Sequence, residues 1–225
     1  MVWVARLLLM PPAAPNEPAS EPEPVSVSEP EPVSEPAPRS AGAPAEPVAA
    51  PPGADPRWGD LRRKTVTWYD PAASARSSLT MSGLEFLRAM VDGTVPPPPI
   101  SRVFDFRPVT AEVGDVVFTC EPDESAYNPI GLVHGGLVCT LLDTAAGCAV
   151  HTTLAVGVAY TSLEIKVNYV RPVQVLPGRV NTLTVHGWVT RPGRRAAFAE
   201  GDVRDAQGRV VATASSTCLV MGAGS

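Results

Sequence analysis

Residues 135–150, GGLVCTLLDTAAGCAV, decide the fold. Leu137, Val138, Leu141, Leu142, Ala145, Ala146, Ala149 and Val150 recur at helical spacing, and the apolar stripe is so wide that the helix must be covered on nearly every side. Across the 39 residues from Ser125 to Leu163, Asp143 is the only Asp, Glu, Lys or Arg. A membrane and a curved sheet wrapped around the helix are the two ways to provide that cover. The central carboxylate, the leading Gly135-Gly136 pair and polar Thr140, Thr144 and His151 argue against a membrane span.

The flanking residues supply the sheet. After the helix, Leu163, Ile165, Val167 and Tyr169 alternate with Ser162, Glu164, Lys166 and Asn168, the period of a half-buried strand. Three more strand-like runs, 180–190, 195–204 and 209–220, are separated by turn signals at Pro177-Gly178, Pro192-Gly193 and Gln207-Gly208. Before the helix, runs 103–109 and 113–120 flank Gly114-Asp115 and read as a hairpin. Further upstream, Ser82 is placed to cap a helix over 82–92 that Gly93 ends. Short connections imply antiparallel neighbours. The expected fold is α+β: one long buried helix wrapped by a curved antiparallel sheet of about six strands.

Composition divides the chain further. Residues 1–56 hold fifteen of the 26 prolines and a net charge of −6, whereas 57–225 carry a net +1. Repeats such as EPEPVSVSEPEPVSEP at 21–36 lack backbone donors and repel themselves, so 1–57 reads as a disordered Pro/Glu/Ala-rich tail. Residues 58–101 read as a helical lead-in and 102–225 as the main domain. The opening MVWVARLLLM has no basic n-region and reads as a mispredicted start or a loose amphipathic stub in preference to a secretory signal. Neither part is strongly basic, which argues against a nucleic-acid partner. Cys120, Cys139, Cys148 and Cys218 form no Cys-x-x-Cys pair and no disulfide framework, so a reducing cytoplasm is expected, with no metal. Cys139 and Cys148, on the helix, read as small apolar filler.

The residues NPIGLVHGG at 128–136, followed by Leu141-Leu142-Asp143, together with TSLEIKVNYVRP at 161–172 and the turn at 205–208, resemble the hotdog-fold acyl-CoA thioesterases. More narrowly they resemble the phenylacetate-degradation (PaaI-like) branch, over about 102–221. The resemblance implies hydrolysis of acyl-CoA to free acid and coenzyme A without a cofactor, by a homodimer or homotetramer whose sites form between subunits. It implies Asp143 as the general base or nucleophile, the Gly135 N–H as the oxyanion donor and Asn128 as the group that orients water or carbonyl. Ser162 matches a position where the family places a hydroxyl near the water, with Thr161 as the alternative if the register differs by one. His134 belongs to the motif without an assigned proton transfer. Read from the residues alone, a carboxylate buried amid apolar neighbours favours a function for Asp143 over one merely held by hydrogen bonds, and the glycines can also permit a tight turn. A hotdog hydratase or dehydratase and a non-catalytic acyl-CoA sensor are the rival functions. Arg171, Arg191, Arg194 and Arg195 are candidates for the coenzyme A phosphates.

Overall fold

The computed structural model describes residues 51–222. The opening stub and the tail, apart from 51–57, lie outside the described residues. Besides short 3-10 helices at Pro56–Trp58 and Glu124–Ala126, the described residues form α1 (Pro71–Thr80), α2 (Gly83–Val91), α3 (Pro99–Val103), β1 (Phe106–Glu112), β2 (Asp115–Cys120), α4 (Gly135–Thr152), β3 (Ala159–Tyr169), β4 (Leu183–Arg191), β5 (Ala196–Arg204) and β6 (Val210–Met221). The strands make one antiparallel sheet in the order β1-β2-β4-β5-β6-β3, and α4 packs on its concave face. This is the expected hotdog arrangement. Among the described residues no helix is long and apolar enough to cross a membrane.

Local chemistry sets the boundaries. Ser82 caps α2 through a capping box, its Oγ accepting from Glu85 N–H while Glu85 Oε2 accepts from Ser82 N–H at 2.8 Å. The expected strand over 103–109 begins later. Pro99, with its φ preset for a helix start, opens α3, which runs through Val103, and Asp105 at φ 49° turns the chain into β1 at Phe106. Gly114, at φ 75°, makes the hairpin turn, and β2 starts at Asp115.

Leu137, Val138, Leu141, Leu142, Ala145 and Ala149 of α4 meet Val116 and Phe118 of β2, Leu183 and Val185 of β4 and Val203 of β5 in one buried cluster, while Ala146 and Val150 pack in a second with Ala197 and Ala199 of β5 and Cys218 of β6. Small residues let sheet and helix come close. A Cβ on Gly187 of β4 would fall 2.4 Å from the carbonyl carbon of Ala145 on α4. Gly187→Ala must therefore push a strand off the core helix, and we expect a loss of about 3 kcal/mol in urea denaturation. Gly222→Ala, where a Cβ meets nothing within 4 Å, is the control expected to unfold like the parent.

Among the described residues the wrap leaves one stripe of α4 incompletely covered. Gly136 is exposed and Cys139, Thr140, Asp143 and Thr144 are half-buried along it. Thr140 and Thr144 donate their hydroxyls back to the carbonyls of Gly136 and Thr140, at 2.9 and 2.7 Å. The two sheet edges also differ. The α2 and α3 helices pack on β1, and Arg88 Nε donates to the Ala111 carbonyl at 3.1 Å. Among the described residues no strand pairs with the outer side of β3, which is 11 residues long.

The alternation expected along β3 breaks at a bulge. Ser162 pairs with Cys218 and Glu164 with Thr217, so Leu163 is the extra residue and stands 59% exposed instead of facing the core. Ile165 and Val167 stay half-buried against it, while Tyr169 is 57% exposed.

Candidate active site

Two groups of polar atoms sit on α4, separated along its length. The first is at its start. Asn128, in the preceding loop, accepts at Oδ1 from the N–H groups of Ile130 and Leu132, both at 3.1 Å, and its own N–H donates to the Leu132 carbonyl at 2.8 Å. Its oxygen is thus committed to bracing the loop, and only the amide N–H groups remain for a ligand. The loop is tied down by His134 N–H to the Ala126 carbonyl, 2.8 Å, and Val133 N–H to the Val173 carbonyl, 2.9 Å.

His134 is the N-cap of α4, with extended backbone at φ −65° and ψ 136°. Its Nδ1 accepts from Gly136 N–H at 2.8 Å, and its carbonyl accepts from Leu137 N–H at 3.0 Å. Of the first three N–H groups of the helix, Gly135 alone has no partner among the described residues. It stands at the positive end of an 18-residue helix dipole. Asn128, Gly135, Val138, Tyr169 and Arg171 line a crevice of about 290 Å³ at this point. A larger cavity of about 520 Å³, sharing Leu132, Pro172 and Val173 with it, runs on toward Arg179 and Arg209. Arg171 itself donates to the Val210 carbonyl at 2.6 Å.

The second group lies on the uncovered stripe. Asp143 Oδ1 accepts from Ser162 Oγ at 2.8 Å, while Oδ2 makes no hydrogen bond among the described residues. The β3 bulge directly follows Ser162 and sets its direction; Thr161, opposite Leu219, makes no bond to Asp143. Asp143 is thus half-buried in one chain and open on its uncovered side, instead of enclosed. Behind it, burial pushes the Cys148 thiol up to about 12, with the Asp143 charge adding to the push. Burial likewise holds the Tyr160 phenol well above its ordinary value. Neither side chain is an anion at neutral pH, which suits Cys148 as filler and not as nucleophile.

Eight residues at helical rise put Gly135 and Asp143 about 12 Å apart along the axis. One carbonyl group cannot touch both within a single chain. The structure therefore brings Asn128, His134 and Gly135 together at one crevice and Asp143 with Ser162 at another place. It also adds Tyr169 to the first group, a residue whose strand alternation reads simply as core-facing.

The "Thioesterase superfamily" family model matches residues 130–212. Acyl-coenzyme A thioesterase 13 of Homo sapiens is 30% identical over 110 residues, covering 48% of this chain and 75% of that protein. The chain belongs to the thioesterase superfamily. This thioester hydrolase also shares its fold with the Escherichia coli PaaI protein from the phenylacetic acid degradation operon (TM-score 0.54, 19% identity, 64% of this chain and 97% of that one). A thioesterase family protein from Silicibacter pomeroyi is similar in fold too (TM-score 0.53, 24% identity, 60% and 98% covered).

Proposed function

We propose that this thioesterase hydrolyses acyl-CoA to a free carboxylic acid and coenzyme A at sites formed between two chains, each site taking Gly135 from one and Asp143 from the other. The Gly135 N–H, without a partner among the described residues and above a crevice, carries the reading, because a fixed donor at a helix start is what a developing oxyanion requires. Asp143 Oδ2 takes a proton from water as the oxygen of that water bonds to the thioester carbon. The carbonyl oxygen, now negative, accepts from Gly135 N–H, while the Asn128 amide donors orient water or carbonyl. Collapse breaks the carbon–sulfur bond, and the proton on Asp143 passes to the departing thiolate. Ser162, by holding Oδ1, leaves Oδ2 aimed at the water. Direct attack by Asp143 is the other route, and it alone would place oxygen from labelled water in the Asp143 side chain during a single turnover.

Pairing of two chains is supported by the outer side of β3 and the stripe of α4 that are left bare among the described residues, which adjoin one another at the Ser162–Asp143 bond. An unpaired edge of that length seeks a partner strand. The name of the human relative, acyl-coenzyme A thioesterase 13, supports an acyl-CoA substrate. The PaaI-like branch and a cytoplasmic setting complete the proposal.

The test is thiol release across short, long and aryl acyl-CoAs with the full chain. Free coenzyme A is the expected product. Tight binding with no thiol released would make the protein a sensor, and water addition to an enoyl-CoA with the thioester intact would make it a hydratase. We further propose that the tail takes no part in catalysis, so a chain beginning at Trp58 should release thiol at the full-length rate.

A further inference from the structure

The peptide between Gly135 and Gly136 is gripped at both ends. Its N–H donates to His134 Nδ1 at 2.8 Å, and its carbonyl accepts from Tyr169 Oη at 2.9 Å. Tyr169 is the last residue of β3, 34 positions along the chain, and its ring lies against Gly135: a Cβ there would meet ring atoms at 3.1–3.2 Å. The preceding peptide is pinned as well, through the bond from Leu137 N–H to the His134 carbonyl. A glycine left to itself samples many orientations, and a donor that must first reorient stabilises little.

We propose that Tyr169 is the positioning residue of this thioesterase: through the Gly135 carbonyl it holds the Gly135 N–H in line for the oxyanion, and it keeps His134 in the tautomer with its proton on Nε2. The proposal rests on the reading of Gly135 as oxyanion donor. The three groups form a chain in which each bond strengthens the next. The phenol polarises the Gly135 carbonyl, the same amide's N–H becomes a better donor, and His134 Nδ1 is held as the acceptor. Partial desolvation, with a smaller push from Cys139, raises the phenol above its ordinary value, so it stays a donor through the neutral range.

Tyr169→Phe keeps the ring that walls the crevice and removes only the hydroxyl. With the full chain and an acyl-CoA hydrolysed by the parent, kcat should fall ~10- to 30-fold, a fraction of the loss for removing an oxyanion donor outright, with KM within about twofold. Nitrogen NMR of the His134 ring should show the Nε2–H tautomer in the parent and a mixture in the variant. A second variant carries 3,5-difluorotyrosine at 169, of near-identical shape and with a phenol that ionises well below that of tyrosine. Its kcat should fall as pH rises through that ionisation, over a range where the parent is flat, and this variant keeps the test decisive if Tyr169→Phe does not fold. Parent kcat in Tyr169→Phe, a kcat loss matched by a rise in KM, or a flat pH profile for the difluoro variant would each overturn the proposal. Asp143→Asn measured alongside separates the two readings, because parent turnover in that variant removes the proposed function itself.

Discussion

Asp143→Asn is expected to lower kcat about 10³-fold while leaving the fold unchanged. The asparagine oxygen can still accept from Ser162 Oγ, so the 2.8 Å contact that ties α4 to β3 survives the change. What disappears is the only basic oxygen on the uncovered stripe. The residual rate belongs to binding and to the Gly135 donor, which the substitution leaves alone. Thiol release under saturating acyl-CoA reads the effect, and sedimentation with thermal unfolding checks that assembly and fold are those of the parent. Turnover at the parent rate would remove Asp143 from the chemistry.

The second large effect comes from removing one backbone N–H. Gly135 is the first residue of α4, where proline is well tolerated, and His134 before it already has the extended backbone that a following proline demands. Gly135→Pro therefore removes the N–H with little cost to the helix, provided the Tyr169 ring yields a few tenths of an ångström. The expected loss in kcat is about 10²- to 10³-fold. Mixing the two dead variants then tests the two-chain site. If donor and base come from different chains, a dimer of one Asp143→Asn and one Gly135→Pro chain holds one intact site, and co-refolding equal amounts restores about a quarter of the parent rate for random pairing of symmetric dimers. If each chain carries a whole site, the mixture stays as slow as its components.

Much of this was legible from residues 125–169. The width of the apolar stripe on α4 demanded a wrapped helix, and period-two alternation with short turns supplied the antiparallel strands. The capping box at Ser82 and Glu85 was visible in part, because a serine before a helical pattern is a local signal. Proline at a first helical position starts a helix, so Pro99 opens α3 and moves the onset of β1 from the expected 103 to Phe106. The bulge at Leu163 was invisible because strict alternation fits the same letters; only the pairing with β6 reveals the extra residue. Tyr169 was missed for a related reason. A tyrosine ending an alternating strand looks like packing, and its bond to Gly135 spans two elements that no sequence window contains. The proton acceptor on His134 was likewise out of reach, since it depends on the direction of one amide.

The unequal flanks of the sheet bear on how large the assembly can grow. One flank is stoppered by α2, α3 and Arg88, and the other is bare among the described residues. Two copies that meet through their bare flanks consume both, leaving a ribbon with stoppers at each end. Under the proposed pairing, lateral growth halts at two, and the architecture that invites association also forbids a fibre.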